Sequence, residues 1–253
     1  QASGVALPPL PRPEEEPSAV AEGVEPDWHG LPVVNDGNGV YRLPAGEYEL
    51  YDDLKLPAGS HWILEAGVQL MMGPGVSILS RGTVTARGTP DRRVLVIPVQ
   101  NVWGWGSFVL LGPEAKGDFA HCRFDGGNAA LLDGAYFSGM VAVHYAESFT
   151  ATDCDFSRAN RQRGDDGLNV KYGLVKLKRV TFTDNRFDAA DFDYVAEGSS
   201  VIDSRFISSG NDALDISGSK VLIQGVEVKG ADDKGISLGE ESEVRIVDSR
   251  ISG

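Results

Sequence analysis

His144, Lys171, Asp193 and Ser217 follow one another at intervals of 27, 22 and 24 residues, and Asn169, Asp191, Asp215 and Ser237 at 22, 24 and 22. An imidazole, an amine and several carboxylates at such regular spacing could move protons, because neighbours tune each group toward neutrality. In that reading Lys171, His144 and Tyr172 are the candidate catalytic groups. Asp191, Asp193 and Asp215 suggest a second chemistry, carboxylate oxygens around a hard cation such as calcium. Two carboxylates about 5 Å apart repel by roughly 1 kcal/mol in water and roughly 3 kcal/mol at an effective dielectric of about 20. Asp191 and Asp215 side by side therefore call for solvation, a raised pKa, a metal, or a cation such as Lys171 or Arg186. All of this requires residues some two dozen positions apart to be neighbours.

A repeat supplies that neighbourhood. Phe124, Phe156, Phe182, Phe206, Val228 and Ile251 recur at 32, 26, 24, 22 and 23 residues. Each interval holds short strand-like segments such as "GLNVKY" (167–172), "AADFDY" (189–194) and "ALDISG" (213–218). A leucine-rich repeat would need its Leu/Asn consensus, and a propeller blade needs about 40 residues or more. The pattern predicts an all-β fold, a right-handed parallel β-helix (solenoid) with three short strands per coil, equivalent residues stacking about 4.8 Å apart. In this register Leu168, Ala190, Leu214 and Ile236 face inward, as do Val170, Phe192, Ile216 and Leu238. Alternation then turns the His144–Ser217 and Asn169–Ser237 columns toward solvent, with Tyr145, Tyr172 and Tyr194 beside them. Asp166, Asp188 and Asp212 fall at the bend before the strand, where Asp accepts a hydrogen bond from the backbone two residues on.

Residues 1–31, rich in Pro and Glu, read as a disordered leader or linker; its PxxP string is a weak partner signal. Residues 32–253 read as the β-helix domain, with an incomplete C-terminal coil that further chain, another protein or self-stacking would cover. A formal charge of −14 argues against nucleic acid, and no apolar stretch is long enough to span a membrane. Two long segments, "DGGNAALLDGAYFS" (125–138) and "SRANRQRGD" (157–165), leave the same edge of adjacent coils and are expected to be functional loops. The second carries Arg158, Arg161 and Arg163, which with Asn169 and Arg186 are the candidate substrate-binding residues for a sugar acid. Cys122 and Cys154 share an inward column and are expected to be reduced thiols, since parallel stacked neighbours suit a disulfide poorly. Trp103 and Trp105 are expected to pack within the core and coil edges.

The coils "DCDF…DDGLNVKYG", "DSRFISSGNDALDIS" and "GADDKGISLGE", with "WGWGSFVLLG" (103–112) ahead of them, resemble the secreted parallel β-helix proteins of the pectate-lyase-like superfamily. They are also similar to the β-helix module attached to spore-coat-type (CotH) kinase domains. The resemblance implies an extracellular, periplasmic or cell-surface module that binds or processes a polysaccharide or cell-surface glycan. It further implies a lyase of uronic-acid polymers, in which Lys171 abstracts the proton and a cation neutralises the carboxylate. The chain lacks the "GHG" and "RIK" of the pectin hydrolases and the "DPHD" of the alginate epimerases. A non-catalytic surface or structural solenoid and a calcium-stabilised adhesion module are the alternatives, since fold alone does not choose a function.

Overall fold

The computed structural model describes residues 25–100, 104–159 and 166–252, and every regular element among them is a β-strand. The strands stack into three sheets of ten, eight and nine strands, parallel except for the first pair of the ten-stranded sheet, one sheet for each side of the coil. The expected register is the observed one: Phe124, Phe156, Phe182, Phe206, Val228 and Ile251 pair in turn. Their aromatic members form an inward stack, with ring centroids 5.4, 4.8 and 4.9 Å apart and planes within 13° of parallel. Val, Leu and Ala from all three sheets close the interior around that stack. Cys122 and Cys154 are free and buried, the Cys122 amide donating to Cys154 Sγ at 3.4 Å.

The corners explain how so tight a coil keeps its backbone satisfied. Each corner spends a residue at positive φ: Tyr145, Tyr172 and Tyr194 at one, Arg158, Asp184 and Ser208 at the next, Asp153, Arg179 and Asp203 at the third. Such a residue turns the chain sharply while its N–H still reaches the next coil. Tyr145, Tyr172 and Tyr194 donate to the carbonyls of Lys171, Asp193 and Ser217 at 2.8, 3.0 and 2.9 Å. The hydrogen-bond ladder therefore continues round the bend instead of ending with the sheet.

The N-terminal end is closed. Val34–Gly37 pairs antiparallel with Val40–Leu43, and Trp28 packs against Tyr41 and Trp62 at 5.0 and 5.9 Å. Trp28 and Leu31 belong to the packed body. At the other end Leu238, Ile246 and Ile251 are about half exposed, at 52, 45 and 50%. Among the described residues no helix is long and apolar enough to cross a membrane.

Candidate functional site

The outer face of the eight-stranded sheet carries the predicted His144, Asn169, Lys171, Asp191, Asp193 and Asp215. Its central outward column runs Leu79, Val109, Ala142, Asn169, Asp191, Asp215, Ser237. The column is apolar for three coils and polar thereafter. The apolar part is covered by an antiparallel hairpin, Ala130–Leu132 with Ala135–Phe137, which buries Leu132 and Phe137 on Leu79, Val109, Leu111 and Ala142. Lys55 Nζ, 2.5 Å from Asp133 Oδ1, ties the hairpin turn down to an earlier coil. The expected open loop at 125–138 is thus largely a cover with a small core of its own. Its trace in the sequence is in the strands beneath it. "FVLL" and "MVAV" are apolar without alternation, as strands buried on both faces are.

Two site residues are less exposed than expected. His144 is 8% exposed and Asn169 is fully buried, whereas alternation placed both in solvent. The His144 ring lies against Phe137, with centroids 5.2 Å apart. From there a hydrogen-bonded file runs across three coils. His144 Nε2 is 2.8 Å from Asn169 Oδ1, and Asn169 Nδ2 donates to Asp191 Oδ2 at 2.6 Å and to Asp166 Oδ2 at 3.4 Å. Because the Asn169 amide nitrogen faces carboxylates, its oxygen is the acceptor for His144, and His144 Nε2 carries the proton.

Burial decides the protonation of both ends. It pushes the His144 pKa down to about 4, with Lys171 adding to the effect, so the imidazole is neutral near pH 7. Burial, then the charge of Asp193, pushes Asp191 up to about 7 against the pull of Lys171. Lys171 Nζ sits 2.9 Å from Asp193 Oδ2. Burial opposes its charge, but the bond to Asp193 and the nearby Asp191 and Asp166 outweigh it and hold its pKa above the usual value. Lys171 is therefore a cation here, ill suited to the role of base, and Asp191 is the group that titrates near neutrality. Tyr172 keeps its proton: burial and the flanking Tyr145 and Tyr194 raise its pKa.

The tyrosines form a ladder at the far end of the strands, with centroids 5.0 and 5.3 Å apart and planes within 8° of parallel. Gly218 continues the column, and a Cβ there would come within 2.4 Å of the Tyr194 ring. The ring faces thus cover one another, and the ladder offers edges and hydroxyls instead of an open aromatic platform.

At the near end, Asp188 and Asp212 bond to the next coil where local turns were expected. Asp188 Oδ1 accepts from the Asp212 amide at 2.8 Å, and Asp212 Oδ1 from the Lys234 amide at 2.7 Å. The acids stitch coil to coil. Asp188 has a raised pKa, from burial and from Asp212 and Asp215, against the hydrogen bonds it accepts. Beside them a groove of about 630 Å³ follows the corner, lined by Arg158, Asp184, Asn185, Arg186, Ser209 and Asp232 among others. Two expected substrate-binding arginines, Arg158 and Arg186, therefore share one groove, next to Asp191's strand but not over Asp191 itself. Arg158 is committed: with Arg123 it pairs with the buried carboxylate of Asp125. Burial opposes the charge on Asp125, yet the two guanidiniums hold its pKa below the usual range. Arg161, Arg163 and Trp103 lie outside the described residues, and Trp105 is buried, its indole N–H donating to the Asp125 carbonyl.

Asp191, Asp193 and Asp215, the expected calcium ligands, stand on two adjacent strands. Asp191 is held by Asn169 and Asp193 by Lys171. Among the described residues no three or more His, Cys, Asp or Glu side chains are grouped to hold a metal. No protein-family model, curated protein or solved structure matches this chain.

Proposed function

We propose that the chain is a carbohydrate-binding and carbohydrate-processing β-solenoid whose site is the polar half of the eight-stranded sheet, beyond the hairpin. The observation that supports it is the file His144–Asn169–Asp191 beside the cation of Lys171. For a uronic-acid polymer, the roles divide by charge. The sugar carboxylate takes the place of Asp193 on Lys171, which draws electrons from the α-carbon. The ionised form of Asp191 takes the α-proton. The electron pair forms the new C=C bond as the β C–O bond breaks, and the Tyr172 hydroxyl gives its proton to the leaving oxygen. His144 and Asn169 orient the Asp191 carboxylate from behind.

The test is a panel of uronate polymers and neutral glycans, followed for binding and for the ultraviolet absorbance of the unsaturated product. Turnover is expected with a uronate, lost in Asp191→Asn while binding persists, and binding is expected to fall in Lys171→Ala. Binding without turnover across the panel would select the second reading, a non-catalytic surface solenoid. That reading is favoured by the position of the groove lined by Arg158 and Arg186, which lies at the neighbouring corner and not over Asp191. No binding to any glycan would remove the proposal.

A further inference from the structure

The hairpin gives this face a closed end. Along the solenoid axis the central column is a track with one position per coil, about 4.8 Å apart. Under the hairpin, Leu79, Val109 and Ala142 are inaccessible, and Phe137 stands at the boundary against His144. Past the boundary Asp191, Asp215 and Ser237 are each partly exposed. A ligand lying along the column therefore runs freely from Ser237 to Asp191 and then meets a wall. The wall is firm. It is packed from below by an apolar cluster, and its turn is held at the Lys55–Asp133 ion pair. Its outer surface carries Leu131 and Tyr136, paired across the hairpin and both more than half exposed, so a chain passing over it would cross an apolar crest lying outside the sheet.

Resting on the carbohydrate reading above, we infer that the site recognises the end of a glycan chain and not its interior. The terminal sugar abuts the closed end of the column at the buried Asn169, with Asp191, Lys171 and Asp193 around it, and the rest of the chain extends over Asp215 and Ser237. Asp191 then acts at the linkage nearest the end. A polymer approached from its middle would have to pass through the hairpin.

The experiment counts binding sites against chain ends. Polygalacturonate and alginate are partly fragmented to a series of mean lengths and titrated calorimetrically against the intact protein at equal sugar mass. Recognition of ends predicts that the concentration of ligand sites rises in proportion to the number of ends. It also predicts that Lys171→Ala weakens binding by tenfold or more at every length. A site concentration set by sugar mass, constant across the series, overturns end recognition while leaving the carbohydrate reading intact. Equal affinity in wild type and Lys171→Ala places the binding elsewhere and overturns the inference as well. Failure of every polymer and fragment to bind removes the carbohydrate reading itself, so the two failures are distinguishable.

Discussion

Asp191 and His144 are linked through one amide, and burial moves their pKa values in opposite senses. Asp191 has a folded value of about 7 against an ordinary value of 3.8. Between these the folded state holds the extra proton, so stability falls as pH rises from about 4 to 7. His144 has a folded value of about 4 against 6.5. There the unfolded state holds the extra proton, so stability rises with pH from about 4 to 6.5. Through most of that window the two slopes oppose each other. Asp191→Asn removes the falling component, so that variant should gain stability relative to wild type as pH rises, by about 1–3 kcal/mol in all. His144→Gln removes the rising component and should lose relative stability through the same range. Urea midpoints at a series of pH values, taken as differences from wild type, check both signs. Difference curves that stay flat from pH 4 to 7 would mean that neither group is buried as the file requires.

The hairpin Ala130–Leu132 with Ala135–Phe137 is the element that makes His144 an interior group. Phe137→Ala should cost about 3–5 kcal/mol if the hairpin unfolds with the body, and less if it lifts off alone. Either way, the His144 pKa should climb from about 4 toward 6.5, because burial is its largest cause. Titration of the His144 ring by NMR reads this directly, and an unchanged value would show that the cover lies elsewhere. This element also marks the limit of what could be read beforehand. The inward columns were legible because Phe, Leu and Val alternate with polar residues at a steady interval. The hairpin was hidden because a fourteen-residue gap between Phe124 and Gly139 looks like a loop. The unbroken apolar strands beneath it were the available signal. The corners were hidden for another reason. Tyr172 and Arg179 hold positive φ without the Gly, Asn or Asp that normally announces it, because a coil-to-coil hydrogen bond fixes the backbone there. The Asp166–Asp188–Asp212 column was legible as a corner, but the acceptor role was assigned to the wrong partner, since sequence proximity suggests a local bond where Asp188 and Asp212 reach the next coil.

The molecule as a whole is a one-dimensional stack in which each coil packs chiefly on its two neighbours. Stability in such a stack is a chain of interfaces, and its two ends differ. On the N-terminal side an antiparallel strand and the Trp28–Trp62 contact close the core. The first side also carries the hairpin and its apolar cluster, so a cut through the middle should release the second side more readily than the first. Phe182 is such a point, sandwiched between Phe156 and Phe206 at 4.8 and 4.9 Å. Phe182→Ala opens a cavity at both interfaces, a loss of about 3–5 kcal/mol. Amide exchange should then accelerate strongly in Arg205–Ser209 and Glu227–Ala231, while Gly46–Leu50 and Val68–Met72 keep most of their protection. Hydrogen exchange followed by mass spectrometry resolves these peptides. Equal acceleration on both sides would mean that the stack unfolds as one unit, and the polar half of the sheet would then share the full stability of the capped end. Unequal acceleration would place Asp191 and Asp215 at the border between a firm base, which carries the hairpin wall, and a looser run of coils able to adjust to the chain laid along it.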